Sequence, residues 1–229
     1  RALRGFEVTL NGLDQFDPAT TRRQFTVALR DVLEATILPP LASQVTAGAP
    51  LVDLAAVKVD RRELESELAA GTLDVAIDVL LPLSGDIRHQ QIIVDKTVVV
   101  VRNGHPAIHG ALDLATYLEQ DHILASSRRR GLGLEDFELS RLGVQRRVRL
   151  RCQHYFAACR VVSQTNLLLT MPDRYAQVAN QHFDNRILPF PTEMPPFDVY
   201  LYWHANVDND PANRWLREQL VRSLQIQAV

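Results

Sequence analysis

From Phe25 onward the apolar positions fall into two periods. Phe25, Val27 and Leu29 alternate with Thr26 and Ala28, which predicts a strand. Leu33, Ile37, Leu41 and Val45 then recur at helical spacing, and Pro39 and Pro40 predict a kink or break within that helix. Residues 51–59 are strand-like. Asp60 followed by Glu63 predicts a capping box opening a short helix with Leu64 and Leu68 on its inner face. Gly71 is placed to stop that helix at the residue after its last turn. Leu73, Val75 and Ile77 predict a third strand, with Asp74 and Asp78 at its edges.

That order is β-α-β-α-β, the pattern of a parallel sheet with right-handed crossovers. Residues 92–101 form a β-branched apolar run broken by Asp95, Lys96 and Thr97, which predicts one buried strand or two in succession. A second series follows: helix over 112–118, strand over 122–125, helix over 134–142 ended by Gly143, and a strand holding Val148 and Leu150. Helix over 155–162, strand over 167–170 and helix over 173–179 continue it. An alternating strand over 197–203 leads to a final amphipathic helix carrying Trp215, Leu216, Leu220 and Leu224. Asp210 suits the N-cap of that helix and Pro211 its first position. Two α/β series with a closing strand and helix imply two lobes.

Composition narrows the class. With 46% hydrophobic and 23% charged residues, the 229-residue chain is ordinary for a globular protein. A net charge of −2 argues against a broad nucleic-acid-gripping face. Two cysteines, Cys152 and Cys159, are too few for a secreted disulfide scaffold. No stretch reaches the ~18 unbroken apolar residues of a membrane span, and residues 1–5 lack a signal-peptide core. A reducing cytoplasm is the expected setting, and the absence of an initiator Met predicts a fragment of something longer.

Several segments carry a family resemblance. Leu10-Asn11, with Phe16-Asp17-Pro18-Ala19-Thr20-Thr21-Arg22-Arg23-Gln24-Phe25, resembles the junction between linker helix and effector domain in LysR-type transcription regulators. The run from Leu64 through Gly71 and Leu73 to Ile77 resembles their helix-to-third-strand segment. Val101-Arg102-Asn103-Gly104-His105-Pro106 resembles their crossover into the second lobe. Tyr202-Trp203-His204, Asp210-Pro211 and Trp215-Leu216-Arg217 resemble the C-terminal signature of the branch that regulates nodulation and aromatic-compound degradation.

The resemblance implies an α/β fold of two Rossmann-like lobes, type 2 periplasmic-binding-protein-like, with two crossover strands. Lobe I would hold residues 22–96 and 201–229, and lobe II residues 97–200. The end of a linker helix and a linker would occupy 1–21. It implies an effector-binding and oligomerisation domain, a homodimer or tetramer, that reaches DNA only through an N-terminal winged helix-turn-helix beyond this segment. It implies neither a cofactor nor a membrane partner.

In open parallel sheets ligands sit beyond the carboxyl ends of the strands, where helix starts converge and favour anions. Arg30-Asp31-Val32 and Gln153-His154-Tyr155-Phe156 are two such starts. The resembled family commonly has a small hydroxyl residue near Arg30. Here arginine could take a carboxylate bidentately, fill the cleft, or pair on the surface with Asp31 or Glu34. Lys96, in an apolar run, needs a partner or an exit to water. Arg174, after Met171-Pro172-Asp173, matches a segment whose arginine reaches the cleft in relatives, or is an ordinary helix-start residue. Arg128, Arg129 and Arg130 before Gly131-Leu132-Gly133 could close over an anion or form a solvated loop. His154, Tyr155 and Phe156 could wall a ring-bearing effector, or serve as cap and core. His204, in the C-terminal signature, completes the candidate set for a small organic effector, anionic or aromatic.

Enzymatic motifs such as H-E-x-x-H, G-x-S-x-G and Walker A are missing, which predicts no catalytic residues. Cys152, His154 and Cys159 are thin support for a metal or redox sensor. An exported solute-binding protein would share the fold but needs a secretory signal.

Overall fold

The computed structural model describes residues 16–126 and 128–225. The expected linker-helix end and most of the linker therefore lie outside the described residues. In chain order the elements are β1 (Arg23–Ala28), α1 (Asp31–Gly48), β2 (Val52–Val57), α2 (Leu64–Ala70), β3 (Val75–Val79) and β4 (Ile87–Asp95). Next come β5 (Thr97–Arg102), α3 (Leu114–Glu119), β6 (Asp121–Ala125), α4 (Leu134–Arg141), β7 (Arg147–Cys152) and α5 (Tyr155–Gln164). The chain closes with β8 (Leu168–Pro172), α6 (Asp173–Ala179), β9 (Asn185–Pro189), β10 (Phe197–His204) and α7 (Pro211–Gln225). It forms two compact units: one runs to Ile93 and resumes at Asp198, the other is Val94–Phe197.

Unit 1 has the strand order β2-β1-β3-β10-β4. β1 runs parallel to β2 and β3, while β10 is antiparallel to β3 with Tyr202 opposite Ala76. Val75, Ala76 and Ile77 are all buried, as a strand covered on both faces requires. Leu33, Ile37, Leu41 and Val45 line the buried side of α1, each at most 6% exposed. Of the kink or break expected at Pro39–Pro40, the break does not occur: one 18-residue helix contains both prolines. Apolar anchors on either side hold it together despite two missing N–H donors.

The capping box expected at Asp60 is also replaced. The Asp60 carboxylate accepts from the Arg62 N–H at 2.9 Å, and α2 begins later, at Leu64, after a turn. Gly71 ends α2 at φ +67°, where a side chain would be strained. At α7, Asp210 caps as expected, its Oδ2 accepting from the Asn213 N–H at 3.0 Å. Trp215 of α7 stacks on Phe25 at 5.9 Å and lies against Phe16 at 5.2 Å between ring centres.

Unit 2 has the strand order β7-β6-β8-β5-β9. β6 runs parallel to β7 and β8, while β5 is antiparallel to both β8 and β9. Val98–Val101 are four consecutive buried valines in the sheet interior. β9 escaped the sequence pattern because it is a half-buried edge strand without alternation, ending in Pro189. β4 starts five residues before the apolar run because residues 88–91 are polar and exposed.

Unit 2 also holds a buried ionic network. Arg146, whose side chain is inaccessible to solvent, donates from Nε to Asp136 at 2.6 Å and from Nη2 to Glu135. Its Nη1 reaches the Tyr117 hydroxyl at 3.3 Å and Thr170 Oγ1 at 3.5 Å. His122, fully buried, lies with Nε2 2.8 Å from the Tyr117 carbonyl.

Candidate functional site

Strand direction decides which predicted residues share an edge. In unit 2, the carboxyl ends of β6, β7 and β8 lie together, and antiparallel β5 starts there, Thr97 facing Pro172. Lys96, the 128–130 loop, His154-Tyr155-Phe156 and Arg174 all follow or precede those ends. Lys96 and Arg174 line one open concavity of about 390 Å³ with Asp95 and Asp173; Val94, Met194 and Pro196 supply its apolar part.

The acids there are already engaged. Asp95 accepts from the backbone N–H of Lys96 at 2.8 Å and of Arg174 at 3.2 Å, so the chain itself fills the anion seat at the start of α6. Burial pushes its pKa up against those hydrogen bonds. The Asp173 N–H donates to the Lys96 carbonyl at 2.9 Å, and the Lys96 ammonium sits 3.4 Å from the Asp173 carboxylate. The Lys96 side chain is 76% exposed, so its ion pair is weak. Arg174 is a half-buried residue, and its guanidinium makes no hydrogen bond or ion pair with the described residues; it acts on Asp95 only through its field.

The remaining unit 2 candidates have local partners. Arg128 donates from Nη2 to the Leu132 carbonyl at 2.8 Å, tying down its own loop. Arg151, which the sequence pattern did not single out, donates to the carbonyls of Gly131 and Arg128 and clamps the same loop. Arg129 and Arg130 are exposed. His154 is the exposed N-cap residue of α5, its carbonyl accepting from the Ala158 N–H at 3.1 Å. Tyr155 is half-buried, edge-on to Tyr175 at 6.0 Å, and burial raises its hydroxyl pKa. Phe156 is 48% exposed beside Phe183 at 5.3 Å, so it is no core residue.

In unit 1, Arg30 occupies the N-cap position of α1, where Asp31 opens the helix and Val32 is half-buried. The Arg30 Nε lies 3.3 Å from Asp78 Oδ2. Among the described side chains Arg30 thus pairs with a partner on β3 and not with Glu34, while the Asp31 side chain lies outside them. Arg61 grips the same carboxylate through Nε at 2.8 Å and Nη2 at 2.6 Å. Burial alone would push Asp78 upward, but these bonds, the Val79 N–H and the two guanidinium charges hold it below the usual carboxylate range. His204 is not with Arg30. β10 runs antiparallel, so His204 falls at the opposite edge of the sheet, where its Nδ1 accepts from the Asn206 N–H at 3.1 Å.

Asp78 and Arg61 were missed as a pair, although a carboxylate inside the run from Val75 to Val79 demands a cation. Cys152 and Cys159 do not form a thiolate site: burial raises both thiols, Cys159 to about 11, and Cys159 packs on Met171 at 3.7 Å.

The sequence profile of the LysR substrate binding domain matches residues 18–225. The chain belongs to the LysR family. Among curated relatives, the HTH-type transcriptional activator NagR of Ralstonia sp is 29% identical over 96% of this chain and 73% of its own length. The probable transcriptional regulator PA0477 from Pseudomonas aeruginosa superposes with a TM-score of 0.82 at 30% identity, covering 96% of this chain and 73% of that one. The regulatory domain of MexT, a transcriptional activator in Pseudomonas aeruginosa, gives 0.79 at 27% identity over 90% of this chain and all of that domain.

The fold is therefore the two-sheet α/β architecture of LysR regulatory domains, periplasmic-binding-protein-like. This LysR domain is the effector-binding regulatory part of a transcription regulator, a family of regulators rather than enzymes. Among the described residues no helix is long and apolar enough to cross a membrane.

Proposed function

We propose that this LysR domain senses a small organic carboxylate on an apolar or aromatic frame. The observation that carries the reading is Arg174, a half-buried residue lining the unit 2 concavity, whose guanidinium has no counter-ion among the described residues. A cation without a counter-ion is stabilised by a carboxylate it can fork, and arginine's planar donors match that geometry. Asp95 already caps α6, so the ligand's anion goes to the side chain and not to the helix start. Lys96 can exchange its weak Asp173 pair for the same anion, while Val94, Met194 and Pro196 offer contact to the ligand's apolar part. His154 and Tyr155 supply further polar contacts on the same edge of unit 2.

Calorimetric titration with a panel including benzoate and succinate tests this. Saturable binding is expected for at least one member, and Arg174→Ala should weaken it about 10- to 100-fold, the worth of a charged hydrogen bond. Lys96→Ala should cost roughly threefold, as an exposed pair would. Affinity unchanged in both variants would sink the assignment.

The domain also serves oligomerisation, as a homodimer or tetramer, while a separate part of the regulator contacts DNA. Light scattering of the purified chain should give at least twice the monomer mass; monomer alone at high concentration contradicts the pairing.

A further inference from the structure

Residues 17–21 fold into a knot that effector binding leaves unexplained. The Asp17 carboxylate accepts from the Ala19 N–H at 3.0 Å and from the Thr20 hydroxyl at 2.8 Å. Its carbonyl accepts from the N–H groups of Thr20 at 3.2 Å and Thr21 at 2.9 Å, and its own N–H donates to Thr21 Oγ1 at 3.3 Å. Pro18 fixes one backbone angle inside that turn. The direction so fixed is that of Phe16. Its ring lies 5.2 Å from Trp215 on α7 and 6.1 Å from Phe25 on β1, between ring centres. The walls of this seat are held without Phe16. Phe25 is fully buried and stacks on Trp215 at 5.9 Å. Arg23 lies over the Phe25 ring at 4.7 Å and reaches Asp74 at 3.2 Å and Asp210, the N-cap of α7, at 3.5 Å. Buried Asn213 ties α7 to the Asp74 carbonyl at 2.9 Å. Phe16 thus enters a preformed seat whose parts all belong to unit 1.

We propose that residues 16–21 are a mechanical joint: the Asp17 knot aims Phe16 into the Phe25–Trp215 seat, and this plug fastens the chain preceding residue 16 to unit 1. A rotation of unit 1 is then passed to whatever precedes Phe16, whichever effector binds. Two weak devices make the joint, an aromatic contact of a half-buried ring and a turn of side-chain hydrogen bonds at the surface. Each fixes what the other leaves free. Without the ring the knot keeps its bonds and loses its hold on unit 1. Without the knot the ring keeps its affinity for the seat and loses its aim. Asp17 is therefore a positioning residue, acting on Trp215 only through Phe16. Ordinary core packing would behave differently: loss of the ring would loosen β1 itself, and Asp17 would have no effect at Trp215.

The test measures amide relaxation of the full chain by NMR at Ala19, Thr20, Thr21 and Val27, together with the indole N–H signals of Trp203 and Trp215. In the wild type the three turn amides should be as ordered as Val27 on β1, with order parameters of about 0.85. Phe16→Ala should lower those of the turn to below about 0.6, shift the Trp215 indole signal, and leave Val27 and Trp203 unchanged. Asp17→Ala should shift the Trp215 signal in the same direction. The double variant should shift it no further than Phe16→Ala alone, since both changes act through one contact. Phe16→Tyr keeps an aromatic plug and Asp17→Asn keeps an acceptor for the Ala19 N–H, so both should retain wild-type order in the turn. A turn that stays ordered in Phe16→Ala would overturn the proposal, as would a Trp215 signal indifferent to Asp17→Ala. Loss of order at Val27 in Phe16→Ala would make the ring a core residue and overturn the joint equally.

Discussion

Arg146→Ala should lower the unfolding free energy of unit 2 by about 3–5 kcal/mol, the largest stability effect expected from one charge in this domain. Arg146 is inaccessible to solvent and is the counter-ion of two neighbouring carboxylates, Glu135 and Asp136, each about 10% exposed. Burial already raises the pKa of Glu135 against the pull of Arg146. Without the guanidinium, two adjacent buried carboxylates repel, and Tyr117 and Thr170 each lose a hydrogen-bond donor. Urea denaturation of the variant checks the value. Arg141→Ala is the control, because Arg141 is 76% exposed and pairs with Glu138 at 3.3 Å. Its loss should stay below about 1 kcal/mol. Equal losses in the two variants would contradict the role given to Arg146.

The second large effect is a pH dependence centred on His122. The Tyr117 carbonyl can only accept, so Nε2 carries the proton and Nδ1 is bare. Nδ1 has no partner among the described residues, so protonation would place a cation in a dry site near Arg146. Burial first, and the Arg146 charge second, therefore lower the pKa from 6.5 to about 4. The folded value lies below the unfolded one. The associated stability is thus fully present above pH 6.5 and is lost as the pH falls through that window to about 4. The loss amounts to about 3 kcal/mol. Asp74, Asp95 and Glu135, with raised values, shift stability the other way as the pH falls, so the wild type must be read against a reference. His122→Gln keeps a donor for the Tyr117 carbonyl but does not titrate. The wild-type unfolding free energy should fall relative to that variant between pH 6.5 and 4, and parallel curves would refute the burial argument.

Much of the fold was legible because periodicity reports burial. The i, i+4 spacing of Leu33, Ile37, Leu41 and Val45 marks α1, and the Val98–Val101 run marks an interior strand. The prolines did not break α1 because burial on both flanks outweighed two lost hydrogen bonds, and β9 escaped because an edge strand need not alternate. The site was legible only as types of residue near strand ends. Lys96 and Arg174 share a concavity because β5 and β8 are antiparallel neighbours, a fact of topology that no local window contains. Arg30 was visible as an anomaly, yet its partner Asp78 lies 48 residues away in sequence. His204 was grouped by signature, and strand direction separated it.

A crystal structure of the chain with its tightest-binding carboxylate tests the central claim most directly. The ligand's carboxylate should lie within hydrogen-bonding distance of the Arg174 guanidinium, with its frame against Met194 and Pro196. A ligand seated elsewhere, with Arg174 still lacking a counter-ion, would contradict the account.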